Sequence, residues 1–312
     1  MPSAGASLEG RRRGSTRRRE PPTKESPMPA SANVTVLGAG VLGAQIAFQA
    51  ANHGKTVTSY DVDDAALEAA RGRLDAIVAQ FVSESGEETR ESATAAAAGI
   101  TLTSDLAASV ADADLVIEAV PERLDLKQDV YRRIAEAAPE RTVFATNSST
   151  LLPSDIADST GRPDRFLALH FANHVWRQNT AEIMGTERTS PEVFDRVVAF
   201  AEEIGMVPIP LKKEQPGYVL NSLLVPLLGA ASGLVLTGVA DPKTVDTTWR
   251  IATGAPLGPF QIFDLIGLRT AYAVSAASDE PGAQAWAAHL KSEYLDKGKL
   301  GRESGEGFYA YR

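Results

Sequence analysis

Apolar residues follow two rhythms along this chain. From Asn33 onward, short apolar runs alternate with longer stretches whose apolar positions recur three and four apart. That pattern predicts strands alternating with helices, and hence a parallel sheet covered by helices. Strands are expected at residues 34–37, 56–60, 100–102, 115–117, 143–146 and 166–169. Leu42, Ile46, Phe48 and Ala50 mark the first helix, and further helical stretches run over 65–81, around 94–98 and over 124–137. After about Pro216 the alternation stops, and helical spacing continues over 218–236, 242–251, 259–266, 268–277 and 283–294. The expected fold class is α/β with a mostly parallel sheet in an N-terminal domain over 32–215, followed by an all-α C-terminal domain over 216–312.

Residues 1–31 depart from this pattern. The first 27 residues hold seven Lys or Arg against three Glu, show no apolar periodicity and lead into Pro29. They lack the apolar stretch of a secretory signal, so a disordered basic leader is expected. The chain carries a formal net charge of −9, so a leader at +4 leaves −13 for the rest. An acidic folded part excludes a nucleic-acid-binding core, which needs a basic face. The most apolar stretch, 220–239, is interrupted by Asn221, Ser222, Pro226, Ser232 and Thr237, which argues against a membrane span. Cysteine is absent, which removes disulfides, thiolate metal sites and a cysteine nucleophile, and fits a cytoplasmic protein. No metal site is expected.

Gly38-Ala39-Gly40-Val41-Leu42-Gly43 is a G-x-G-x-x-G between a predicted strand and a predicted helix. In that context Gly38 permits the tight turn, Gly40 lets backbone approach a pyrophosphate, and Gly43 allows close packing of helix on strand. The open helix N-terminus, at Val41 and Leu42, faces the phosphate charge. Asp61 ends the next strand, where a carboxylate takes both ribose hydroxyls and repels a 2′-phosphate, so NAD is expected over NADP. These features make the N-terminal domain Rossmann-type.

Four histidines are few enough to take singly. His53 falls in a helix-ending turn and His289 in a late amphipathic helix, where packing or surface roles account for them. His170 follows the strand 166–169, and the carboxyl ends of strands face the ligand crevice in such sheets. An imidazole there can take an alcohol proton while hydride leaves the same carbon, if a carboxylate orients it. Glu182 is the candidate carboxylate. Asn147, Ser148, Ser149 and Thr150 follow the strand 143–146, so they either position a substrate oxygen or simply cap a turn. Asn221 lies in an apolar helical stretch, where its amide needs either an interhelical partner or a ligand.

An ordered set of motifs resembles the 3-hydroxyacyl-CoA dehydrogenase family. It comprises the glycine turn, Val116-Ile117-Glu118-Ala119-Val120-Pro121-Glu122, Asn147-Ser148-Ser149-Thr150, and Leu169-His170-Phe171 with Asn173 and Glu182. Pro216-Gly217-Tyr218 with Asn221, Gly238-Val239-Ala240, Pro256-Leu257-Gly258-Pro259-Phe260 and the final Gly305-Glu306-Gly307-Phe308-Tyr309 complete it. The resemblance implies that His170 is the general base, Glu182 its orienting carboxylate, and Ser149 and Asn221 hydrogen-bond donors to substrate oxygens. It also implies that Glu122 and Lys127 lie near the nicotinamide half of NAD, with Asn147 beside them, and that the helical domain forms a homodimer. The reaction implied is oxidation of an L-3-hydroxyacyl-CoA to the 3-ketoacyl-CoA, with a short chain such as 3-hydroxybutyryl-CoA favoured.

Departures from the family pattern concern the substrate. Where the family usually continues His-Phe-Phe-Asn-Pro, this chain has His170-Phe171-Ala172-Asn173-His174. Asn179 replaces the lysine between histidine and glutamate, and Ser222 the arginine after the helical asparagine. The helical pair with which the family holds CoA here contains Asp75, Glu84, Glu87 and Glu88, with Arg71 and Arg73 as early basic positions. Two alternatives therefore stand beside the leading expectation: a related dehydrogenase of a free 3-hydroxy acid, and a non-catalytic NAD-binding redox sensor or structural protein. His174 is read as a pocket-wall imidazole, with substrate contact or an alternative base as the other options.

Overall fold

The computed structural model describes residues 31–311. Most of the expected leader therefore lies outside the described residues. Ser31, counted with it from the sequence, is buried and its hydroxyl accepts a hydrogen bond from Arg196.

Eight strands form one sheet: β1 (Asn33–Leu37), β2 (Thr56–Tyr60), β3 (Thr101–Thr103), β4 (Leu115–Glu118), β5 (Val143–Thr146), β6 (Phe166–Phe171), β7 (Thr180–Gly185) and β8 (Val207–Leu211). Their order is β3-β2-β1-β4-β5-β6-β7-β8, and every pairing is parallel except β6 with β7. Helices α1 (Val41–Asn52), α2 (Asp64–Ser85), α3 (Arg90–Ala98), α4 (Leu106–Val110), α5 (Leu124–Ala137), α6 (Pro153–Ala157) and α7 (Pro191–Glu203) accompany the strands. The all-helical remainder comprises α8 (Leu220–Leu236), α9 (Pro242–Thr253), α10 (Pro259–Ile266), α11 (Leu268–Ala276) and α12 (Pro281–Glu293). The structure is thus the α/β sheet domain followed by helices that the two rhythms predict.

Strand side chains alternate between two cores, because successive residues of a strand point to opposite faces. Val34, Val36, Ile117, Ala145 and Leu169 pack with α1, α2 and α7 on one face. Leu37, Val116, Phe144 and Phe166 pack with α4, α5 and α6 on the other. A third, smaller core gathers Phe260, Phe263, Trp286 and Leu290 from the later helices. Since β1 lies between β2 and β4, the chain's progress across the sheet reverses there, which opens a crevice at the strands' carboxyl ends. Gly38, Asp61, Glu118 and Asn147 all lie at or just beyond those ends.

Candidate active site

The glycine turn has the shape a dinucleotide needs. Gly38 has a φ of +95°, and a Cβ there would meet the Ala119 carbonyl oxygen at 2.7 Å. A Cβ at Gly43 would lie 1.8 Å from the Gly38 carbonyl oxygen, so glycine is what lets α1 approach β1 so closely. At Gly40 a Cβ would meet nothing within 4 Å, so its bareness serves something other than internal packing. The N-terminus of α1 has no side-chain cap, which leaves its first N–H groups for an anion. Asp61 stands beside this turn, its carboxylate accepting from the backbone N–H of Ala39 at 2.9 Å and of Val62 at 2.8 Å. These residues fit NAD.

Glu122 organises the segment after β5. One of its carboxylate oxygens accepts from the Ser148 hydroxyl, from the Ser149 and Thr150 backbone N–H groups, each at 2.9 Å, and from the Thr150 hydroxyl. Burial opposes its ionisation, but these donors and the Lys127 ammonium win, holding its pKa down at about 2. Lys127 is buried, at 1% exposure. Its ammonium is bonded to Glu118 at 2.6 Å and lies 3.3 Å from Glu122. Burial pushes the Glu118 carboxyl above its ordinary value, against the pull of Lys127 and Thr146. Glu118 was named in the sequence motif without a role, although an acid closing an otherwise apolar strand is a signal of such a buried partner. Asn147 is also committed, its carbonyl oxygen accepting the Phe171 N–H at 2.9 Å.

His170 lies within β6, which runs two residues further than the strand expected from sequence, and Glu182 lies in β7. The antiparallel register sets these two residues directly opposite each other, so their side chains share one face. The result is a bond of 3.0 Å between His170 Nδ1 and Glu182 Oε2, with both residues buried. Glu182's other oxygen accepts the backbone N–H groups of Val219 and Leu220, each at 2.9 Å, where α8 begins. Burial raises its pKa, but His170 and these helix-start N–H groups outweigh it and keep the carboxyl below its usual range. His170 Nε2 faces the Ser149 hydroxyl at 3.2 Å. Thus β5, β6, β7 and the start of α8 bring His170, Glu182 and Ser149 together. Asn221, in the first turn of α8, is half-buried, and its side chain bonds to no described residue.

Two residues gave no sequence signal of their special backbone. His174 has a φ of +60° and Tyr218 of +54°. Proline is fixed near −65°, so the family's proline could not adopt the path that His174 follows. Tyr218 stacks on the His170 ring, with centroids 4.5 Å apart and planes 13° from parallel.

A glycine turn shaped for a dinucleotide, with an imidazole–carboxylate pair at the same sheet edge, defines the class of nicotinamide-dependent oxidoreductases. Models of the 3-hydroxyacyl-CoA dehydrogenase NAD binding domain and C-terminal domain match residues 33–215 and 217–311. The chain belongs to the 3-hydroxyacyl-CoA dehydrogenase family, and it is an NAD-dependent oxidoreductase. It is 35% identical to human mitochondrial hydroxyacyl-coenzyme A dehydrogenase, over 90% of this chain and 91% of that one. It is 31% identical to a 3-hydroxybutyryl-CoA dehydrogenase of Clostridioides difficile, over 89% and 99%. A solved structure of a diketoreductase, described as acting on dicarbonyl compounds, is 60% identical with a TM-score of 0.88, covering 91% of this chain and all of that one.

Proposed function

We propose that the protein interconverts a secondary alcohol and a ketone one carbon removed from a second carbonyl group, with His170 as the general base and acid. The observation that carries this is the single imidazole held between Glu182 on Nδ1 and Ser149 on Nε2. In alcohol oxidation, His170 Nε2 takes the hydroxyl proton as the carbon–oxygen double bond forms, and Glu182 stabilises the imidazolium and keeps Nε2 pointed at the substrate. Bound NAD would supply the acceptor for the hydride leaving the same carbon, and NADH the donor in the reverse direction. Ser149 and the unengaged amide of Asn221 donate hydrogen bonds to the reacting oxygen and its neighbour. Asp61 would hold the ribose, and Gly38, Gly40, Gly43, Val41 and Leu42 would form the phosphate cradle. Glu122, braced by Lys127, sets the crevice segment that carries Ser149.

The substrate supported best is a compact dicarbonyl or 3-hydroxycarbonyl compound without CoA. Over 64–98 the chain has seven acidic residues against three arginines. Those arginines are engaged: Arg71 with Glu68, Arg90 with Glu87, and Arg73 with the Ala39 carbonyl. Such a surface repels CoA phosphates, and the 60% identity to a diketoreductase exceeds the identities to the two CoA dehydrogenases. Family membership supports a second reading, a short 3-hydroxyacyl-CoA. NADH consumption by purified protein separates the two. Turnover of 2,4-pentanedione with a kcat/KM at least about tenfold above that of acetoacetyl-CoA supports the first; the opposite ratio overturns it. A homodimer through the helical segment is proposed as well, because Leu223, Val225, Ile251 and Val274 are all more than half exposed there.

A further inference from the structure

Tyr218 occupies backbone geometry that a bulky residue avoids. Its φ of +54° follows directly on Gly217 at +78°, and such conformations persist only where the surroundings over-determine them. Here they do. The Tyr218 amide donates to the Gln215 carbonyl at 3.0 Å, its ring is 1% exposed, and its hydroxyl donates to the Ser148 carbonyl at 2.7 Å. The ring lies flat on His170.

Both hydrogen bonds to His170 run along the edge of its ring, to Nδ1 and to Nε2. They fix where the nitrogens point, yet they leave the ring free to tilt about the line joining them. A flat contact on one face removes that freedom, and Tyr218 supplies it. The aromatic face is also negative, so it attracts the imidazolium that forms as the base takes a proton. Its hydroxyl reaches the backbone of Ser148, next to Ser149, so one side chain registers the base against the serine at its other end.

We propose that Tyr218 is a positioning residue for His170: its stacked ring sets the tilt at which the imidazole exchanges its proton, and its hydroxyl locks that ring to the segment carrying Ser149. The proposal rests on His170 being the general base. Because Tyr218 belongs to the turn that opens α8, the base is set only when the helical segment is docked on the sheet.

Steady-state kinetics and NMR of the whole chain test this. Tyr218→Leu fills much of the same space without a flat π face; kcat should fall about 10- to 100-fold while KM and NAD affinity move less than about threefold. Tyr218→Phe keeps the stack and loses only the bond to Ser148, so it should recover most of that loss, ending two- to fivefold below the parent. The His170 Cε1 proton should resonate upfield, under the ring current, in the parent and in Tyr218→Phe, and return downfield in Tyr218→Leu. Should Tyr218→Leu not fold, Tyr218→Met takes its place, since methionine fills irregular space. An unchanged kcat in the aliphatic variant, or a loss that phenylalanine does not recover, overturns the proposal. His170→Gln separates the two ideas: if it turns over at the parent rate, the base assignment itself is wrong. If it is inactive while the aliphatic Tyr218 variant is fully active, only the role of Tyr218 is wrong.

Discussion

A carboxylate that gathers four donors on one oxygen gives them up when it is protonated. Glu122 is in that position, with a carboxyl held at about 2 against an ordinary 4.5. The lowered value means that its contribution to stability is fully present above about pH 4.5 and is lost as pH falls toward 2. Glu122→Gln, which halves the acceptors and leaves Glu118 as the one carboxylate beside Lys127, should destabilise the protein by about 1–2 kcal/mol near neutral pH, allowing for the side chain's outer edge in solvent. Urea midpoints of the two proteins should converge as the pH approaches 2; a gap that stays constant would show that the charge is not what matters. Asp61 acts through charge as well. Asp61→Ala removes the group that repels a 2′-phosphate, so the ratio of kcat/KM for NAD over NADP should drop about tenfold or more. It also removes the acceptor for the Ala39 amide, so some loss of NAD affinity should accompany it.

At the scale of elements, the second and third glycines of the turn make separable predictions. Gly40→Ala adds a methyl group with nothing in the protein to strike. Its melting temperature should stay within about a degree of the parent, while the Kd for NAD rises about tenfold or more because the pyrophosphate loses its close approach. Gly43→Ala drives a Cβ into the Gly38 carbonyl, so it should lose stability by about 1–3 kcal/mol and NAD binding with it. Calorimetry and NAD titration of both variants decide the matter; equal melting temperatures would contradict the packing argument. This turn was legible in the sequence because strand, glycine string, helix and acid are local and consecutive. The His170–Glu182 pair was also named, but not the strand that sets the two opposite each other, because local pattern conceals it. Thr180-Ala181-Glu182-Ile183-Met184 does not alternate, and β8 carries Pro208 and Pro210, which read as breakers. They are tolerated because β8 is the edge strand, and the two prolines are alternate residues whose missing N–H groups break no ladder. Tyr218 was hidden for a different reason: its stack follows from tertiary docking of the α8 turn, which leaves no period in the sequence.

For the whole molecule, the helical segment poses the remaining problem. Its core is small, yet Leu223 is 70% exposed, Ile251 80% and Val274 57%. A monomer left in this state would keep those side chains in water, whereas an isologous dimer buries the same residues of both copies at once. No helix among the described residues is long and apolar enough to cross a membrane. The start of α8 also supplies the two N–H groups on Glu182 and carries Asn221, so an interface that steadies α8 steadies the site with it. Light scattering should therefore give twice the chain mass of 33.1 kDa at micromolar concentration. Leu223→Glu with Ile251→Glu should give monomers whose melting temperature is lower by several degrees, because charges placed at those positions cannot be buried unpaired. NAD affinity should survive in the monomers, since the glycine turn and Asp61 belong to the sheet domain, while kcat should fall as α8 loosens. A double variant that remains dimeric would move the interface away from these helices, and a monomeric parent would remove it.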